Sequence, residues 1–446
     1  MSDDAPIGDG LVVSGPKGMN DVLPKDHEYF TFLKKVVRHR CRQAGFKRIS
    51  TPIFEKTDVV KKALAEEADL IEKRMYSLRD PEGEDLTVRS GNTIGIARAY
   101  VEHSFDDMPQ PISFYYVEQQ ARFSKEVDSS YYRTFHQFGL EVIGEDDAAL
   151  DAQVIFIADQ IHKDLKVADN LELQINSLGS AEDKAKYIEE LKNYFIGKER
   201  SVPFEYRDLI DRDPLQLFLI EDEDLQILCE IAPTIDQFWS KESKEYFEDL
   251  QAYLDELGVA YTVNHKFFRK VPYYSGVIFE FWEKKRGRSR AVGGGGRYDN
   301  LIERLGGEPT PAVNYVAGVE RMVTQMKIKK AKVPSKDDLH VFVAQLGKEA
   351  KKKCLPLLHE MHDSGIKAIG AIGKGSMNEQ IGMAQKFGVP YMVLMGLTEV
   401  REGKAIIREM AKGTQKHYDL NEVVPELIKR IGEENLDRYS PGEVVF

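Results

Sequence analysis

Residues 131–144, YYRTFHQFGLEVIG, read as a strand whose two faces differ in kind. With a side-chain period of two, Phe138, Leu140 and Val142 share an apolar face, and Gln137, Gly139 and Glu141 share the other. The first face belongs to a core. The second sets an amide and a carboxylate on either side of a glycine that leaves room for a ligand, which suits an ammonium group and an imidazole N–H. A solvent-facing sheet surface would carry the same pattern, so the neighbouring segments have to decide.

Upstream, SFYYVEQQA (113–121) is a second apolar strand, ended by Arg122, so a loop over 123–130 joins two antiparallel strands. Arginine at such a mouth can grip a phosphate or carboxylate through two parallel hydrogen bonds. In FFRKVPYYSGVIFEFW (267–282), Arg269 precedes the Tyr273–Tyr274 pair and an alternating strand; its other role would be a surface arginine beside packing aromatics. The run GGGGRYD (293–299) must approach something closely, either backbone or ligand, without the spacing of a nucleotide-binding loop. Arg321 falls in the first turn of a helix, where the macrodipole disfavours a cation by a few tenths to about 1 kcal/mol unless an anion is near. A bound polyphosphate or the adjacent Glu320 would supply one.

Around these segments the chain reads as an α/β protein of three parts. Helical spacing over 26–44, with Tyr29, Leu33, Val36 and Val37 on one side, precedes the extended GFKRISTPIFE (45–55) and a hairpin turning at Asp80-Pro81-Glu82-Gly83. A helix starts near Asn92 or Thr93. The expected catalytic domain spans 1–144 and 259–330 with an antiparallel sheet, interrupted by a mostly helical insert at 145–258. The lysine-rich KIKKAKVPSKDD (327–338) reads as a linker to a small α/β domain at 331–446, with mostly parallel strands at HVFVAQ, KAIGAI and PYMVLMG. A content of 42% hydrophobic and 30% charged residues fits a globular chain, and three dispersed cysteines argue against a disulfide frame or structural zinc. The polar N-terminus and the lack of a long apolar run predict a cytoplasmic protein with no membrane span. A net charge of -12 disfavours indiscriminate RNA binding, yet Lys284, Lys285, Arg286, Arg288 and Arg290 form a local basic run, either an RNA contact or a solvated hairpin tip.

Taken together, these segments resemble the histidyl-tRNA synthetase family over about residues 17–431. KGMNDVLP (17–24) is similar to its N-terminal signature, GFKRISTPIFE to class II motif 1 with Pro52 at the dimer interface, and the strands flanking Arg122 to motif 2. RKVPYYSGVIFE (269–280) and GGGGRYD resemble the two histidine motifs, TPAVNYVAGVERM (310–322) resembles motif 3, and LQINSLGS (173–180) a further signature. The resemblance implies a homodimeric ligase that activates histidine with ATP and Mg2+ and charges tRNA(His). Arg122 would hold the α-phosphate and Arg321 the γ-phosphate; Arg269 would approach the histidine carboxylate and the α-phosphate, stabilising charge as it builds. Thr93, Gln137, Glu141, Tyr273 and Tyr274 would line the histidine pocket. Gly318 and Glu126 would serve the nucleotide, Arg133 the tRNA acceptor end, and the C-terminal domain the anticodon, with no dedicated protein ligand set for the metal.

The chain departs from the family pattern at four places. Arg89-Ser90-Gly91-Asn92-Thr93 stands for Arg-Pro-Glu-Gly-Thr, so a carboxylate for the substrate ammonium is missing; Phe123-Ser124 follows the motif 2 arginine in place of His-Glu. Arg269-Lys270-Val271-Pro272-Tyr273-Tyr274 stands for Arg-Gly-Leu-Asp-Tyr-Tyr, and Asn314 replaces a glycine, narrowing the space beneath the adenine. The alternative is a weak or inactive paralogue resembling the histidine-sensing regulatory subunit of ATP phosphoribosyltransferase. An anticodon module favours the ligase over a sensor, and joint retention of Arg122, Arg269 and Arg321 argues against a purely RNA-binding scaffold.

Overall fold

The computed structural model describes residues 14–65, 69–125, 132–269, 271–284, 290–333, 338–370 and 376–438. Glu126, Lys270, Lys285, Arg286 and Arg288 lie outside the described residues. The chain divides into two units, with the boundary after Val333.

The first unit carries strands β1 (Lys47–Arg48), β2 (Phe54–Lys56), β3 (Ser77–Arg79), β4 (Asp85–Val88), β5 (Ile112–Ala121), β6 (Thr134–Ile143), β7 (Leu171–Ser177), β8 (Thr262–Val263), β9 (Ser275–Glu283), β10 (Ala291–Arg297) and β11 (Ala312–Gly318). Eight of them form one sheet in the order β1-β5-β6-β11-β10-β9-β7-β8, antiparallel except for the outermost pair at each end. The remaining three make a small sheet, β2-β4-β3. Register places Glu141 of β6 opposite Phe114 of β5 and Asn314 of β11.

Helix Pro24–Gln43 buries Phe30, Leu33, Val36, Val37 and Cys41 at the spacing of one helical face. It shares a core with helix Ala148–Asp164 and with Phe138, Leu140 and Val142, the face of β6 expected to be apolar. The segment 145–258 is not simply a helical insert: β7 joins the main sheet, and helices Ala148–Asp164 and Lys241–Glu256 belong to the same core. What lies between has a core of its own, with Tyr187, Leu191, Phe195, Leu217 and Leu225, and this core reaches Phe267, Phe268 and Tyr274. The insert therefore backs the segment that bears Arg269.

A buried ion cluster ties these layers together. Arg297, at the end of β10, is 2% exposed and donates from Nη1 to Asp151 Oδ1 at 2.9 Å and to the Tyr246 hydroxyl at 2.9 Å, while its Nη2 lies 3.0 Å from Asp299. Burial opposes its charge, but Asp151, Asp299 and Tyr246 outweigh that and raise its pKa.

The second unit is a five-stranded sheet in the order β13-β12-β14-β15-β16, where β12 is Val341–Gln345, β13 Ala368–Gly370, β14 Tyr391–Met395, β15 Lys404–Glu409 and β16 Gln415–Asp419. The first three are parallel, as expected; β15 and β16 add an antiparallel edge that sequence reading missed. Among the described residues no helix is long and apolar enough to cross a membrane.

Replacing one member of a buried charge cluster leaves the others unpaired, so Arg297→Leu is expected to destabilise the first unit by about 3–5 kcal/mol, with Asp151→Leu in the same chain recovering part of the loss. Both tryptophans, Trp239 and Trp282, lie in this unit, so their fluorescence during urea unfolding reads the change. An unchanged midpoint for Arg297→Leu would show that the cluster carries no such weight.

Candidate active site

The polar face of β6 opens onto a cavity of about 440 Å3, within the range of small-molecule sites. Segments far apart in sequence converge on it: Ser90, Gly91 and Thr93 at the start of helix Thr93–Glu102, Arg122 after β5, Gln137 on β6, Arg269, Tyr273 and Tyr274 before β9, and Gly318 and Arg321 at the junction of β11 with helix Val319–Ile328. Eight of the expected site residues are thus brought together.

Each arginine is held by its surroundings. The Arg122 guanidinium lies 4.5 Å from the centre of the Phe135 ring. Arg269 pairs with Glu280 at 2.8 Å, donates to the Phe279 carbonyl at 3.1 Å, and lies 5.0 Å from the Tyr274 ring centre. Arg321 donates to the Ala291 carbonyl. Glu320 is not its anion: that carboxylate accepts from His136, through the backbone N–H at 2.8 Å and through Nδ1 at 2.8 Å. Glu280, the partner of Arg269, also lines the cavity, and burial raises its pKa against the pull of Arg269 and Arg321. Sequence reading missed Glu280, although its place on the alternating strand after Tyr274 was there to be read.

The glycine run is strand, not loop, and its close neighbour is protein. A Cβ at Gly293 would come 2.5 Å from the Tyr315 hydroxyl, one at Gly294 would come 2.1 Å from Arg269 Nη1, and one at Gly295 would come 1.8 Å from the Asn314 carbonyl oxygen. β10 is thus bare so that β11 and Arg269 can lie against it.

Two expectations on β6 are corrected. Gly139 leaves room for Tyr116 rather than for a ligand, since a Cβ there would meet the tyrosine ring at 2.5 Å. Glu141 does not line the cavity: it is fully buried, accepting from Thr93 Oγ1 at 2.8 Å and from the Tyr298 hydroxyl at 2.7 Å. Burial pushes its carboxyl up to about 8, against the hydrogen bonds from Tyr298, Thr93 and Asn314. Gln137, by contrast, faces the cavity and accepts from the Tyr116 hydroxyl at 2.8 Å. Asn314 is not in the cavity wall either; its Nδ2 donates to Thr93 Oγ1 at 2.9 Å and its Oδ1 accepts from the Tyr274 hydroxyl at 3.1 Å. Tyr298, hidden in GGGGRYD, went unnoticed in the sequence.

Arg133 lies away from the cavity lining and holds the residues just after β5: it donates to the Ser124 carbonyl at 3.0 and 2.8 Å and lies 4.7 Å from the Phe123 ring centre. Arg89 is a further unforeseen residue. It is buried, bonded to the Thr51 and Pro52 carbonyls on one side and to the Gln119 carbonyl on the other, and so pins the small sheet to β5.

A family model described as "Histidyl-tRNA synthetase" matches residues 18–189 and 211–322, and one described as "Anticodon binding domain" matches 340–430. The chain belongs to the histidyl-tRNA synthetase family. It is 32% identical over 414 residues to the histidine–tRNA ligase of Desulforamulus reducens, covering 93% of this chain and 98% of that relative. It is 31% identical over 420 residues to that of Halothermothrix orenii, covering 94% and 100%. The structure superposes on that of apo S. aureus histidyl-tRNA synthetase with a TM-score of 0.77 at 27% identity, covering 93% of this chain and 99% of that one. Like other members, the chain is an aminoacyl-tRNA ligase by family; of its departures from the family pattern, Gly91 and Pro272 line this cavity, whereas Ser124 and Asn314 do not.

The two glycines of the site differ in what they tolerate. A Cβ at Gly91 would find only Gln137 Oε1, at 3.7 Å, whereas Gly139 has no space at all. Gly139→Ala is expected to cost about 1–3 kcal/mol through overpacking against Tyr116, and Gly91→Ala to change stability by less than about 0.5 kcal/mol. Equal melting temperatures for the two variants would contradict this reading.

Proposed function

We propose that this chain is a class II histidine–tRNA ligase, which joins histidine to ATP as histidyl-adenylate and then passes the histidyl group to tRNA(His). The observation that carries the reading is the convergence of Arg122, Arg269 and Arg321 on one cavity with Thr93, Gln137 and Tyr274. In the first step a histidine carboxylate oxygen attacks the α-phosphorus and the bond to pyrophosphate breaks. In the second, a terminal ribose hydroxyl of tRNA attacks the acyl carbon and AMP leaves. Negative charge builds on phosphoryl oxygens in the first step, and guanidinium groups held in place around the cavity are suited to stabilise it.

The roles divide along the cavity. Arg122 and Arg321, with Gly318, serve the phosphates of ATP; Arg269 serves the histidine carboxylate and the α-phosphate; Thr93, Gln137, Tyr273 and Tyr274 hold the amino acid. ATP brings magnesium with it, which screens the phosphate charges. Among the described residues no group of three or more potential ligands is placed to hold a metal ion, so the ATP phosphates would be its principal ligands. Arg133, by holding the residues just after β5, positions the surface that would meet the acceptor end. The anticodon-binding family match of the second unit supports a tRNA substrate and disfavours a histidine sensor. A homodimer is supported by Ile53, Phe54 and Leu78, exposed apolar side chains on or beside the small sheet that carries the motif 1 segment. The same reading puts the protein in the cytoplasm, where tRNA is charged.

Histidine-dependent exchange of labelled pyrophosphate into ATP tests the reading. The wild-type chain is expected to support exchange and to charge tRNA(His), with Arg122→Ala and Arg269→Ala each lowering the rate by about 10²–10³-fold. Absence of exchange from a folded protein that still binds histidine would instead point to a sensor. Gly91 lines the cavity beside Gln137, so Gly91→Glu is expected to restore a carboxylate for the substrate ammonium and lower the KM for histidine by roughly one to three decades. An unchanged or raised KM would show that the ammonium is held elsewhere.

A further inference from the structure

Behind the wall formed by Thr93, Tyr273 and Tyr274 lies a closed polar cluster. Glu141, Asn314 and Tyr298 are each fully buried, and none of them lines the cavity. The hydrogen bonds run as a chain: the Tyr274 hydroxyl donates to Asn314 Oδ1, Asn314 Nδ2 to Thr93 Oγ1, and Thr93 Oγ1 to Glu141 Oε1, while Tyr298 takes Glu141 Oε2. Asn314 is the central link. It sits on β11 directly across from Glu141 and holds both wall residues, one through each atom of its amide. Its bond to Tyr274 uses the phenolic proton, so that oxygen faces other partners as an acceptor.

We propose that Asn314 is a specificity-determining residue, which seals Glu141 off from the cavity so that the side chain of the bound amino acid meets the neutral wall of Thr93 and Tyr274 and not a carboxylate. The proposal rests on the reading of the cavity as the amino-acid site. Three features support it. The Glu141 carboxyl accepts from Tyr298 behind and from Thr93 at the wall, Thr93 and Tyr274 are both held by the Asn314 amide, and Glu141 is fully buried outside the cavity lining. A side chain that offers one N–H to the Tyr274 oxygen suits this wall. A side chain that requires an anion does not. Removal of the amide would break the chain at its middle and open a path from the cavity to Glu141.

The test is calorimetric binding of histidine and its two ring N-methyl derivatives to the full-length chain, without ATP, for wild type, Asn314→Gly and Asn314→Ala. The alanine variant keeps a Cβ on the central strand and guards against a glycine variant that fails to fold; melting curves qualify each protein. At least a tenfold change in the ratio of Kd values between histidine and one methylated form is expected, reversed when Glu141→Gln is added to Asn314→Gly. A mere packing role for Asn314 would weaken all three ligands together and leave the ratio unchanged within twofold, which would overturn the proposal. Histidine binding that appears only in the Asn314 variants would support the seal while refuting histidine as the wild-type ligand. No histidine binding by any folded variant would count against both.

Discussion

The guanidinium of Arg297 is the point on which the first unit turns. It terminates the glycine strand β10, binds Asp151 in the first turn of helix Ala148–Asp164, reaches Tyr246 on helix Lys241–Glu256, and meets Asp299 just beyond the strand. One buried cation thus fixes the angle between the sheet and two helices that cover it. A charge taken from water is costly unless its partners are all in place, so the layers can pack in few other ways. With β10 held there, its missing side chains become useful: β11 lies close on one side and Arg269 on the other.

Much of this was legible in the sequence, because the face of β6 alternates cleanly and its apolar half is buried as its spacing required. The parallel strands of the second unit announced themselves through short apolar runs. β16 did not, since QKHYD is exposed along almost its whole length and carries no pattern to read. β7 was hidden among helices because its neighbours in space, β9 and β8, lie about a hundred residues onward. For the site, spacing marked Arg122 and Arg321 as groups suited to an anion and left Arg269 beside packing aromatics; that the three converge was legible only through the family resemblance. Gly139 shows the limit most clearly. A glycine beside polar residues signals that something approaches, but whether it is a ligand or a tyrosine depends on a strand whose register the sequence does not state.

The departures from the family pattern now have different physical weights. Gly91 removes a carboxylate and leaves space; Asn314 adds an amide and closes space. At Ser124 the contact that Arg133 makes is to the backbone carbonyl, which any residue there would offer, so the change is confined to the side chain. Around the cavity three arginines, Arg122, Arg269 and Arg321, stand with the carboxyls of Glu55, Glu280 and Glu320. Membership of the family is secure on the length of the match, yet a shared fold leaves amino-acid preference to these few side chains.

β11 lies in the middle of the main sheet, and all its partners precede it in sequence. Without it the sheet would fall into two pieces, β1, β5 and β6 on one side and β10, β9, β7 and β8 on the other. Both pieces would then present unpaired hydrogen-bonding edges, the kind of surface that other chains can pair with. The strand that closes those edges also carries Asn314 and Gly318, so one segment both completes the sheet and furnishes part of the site and its backing.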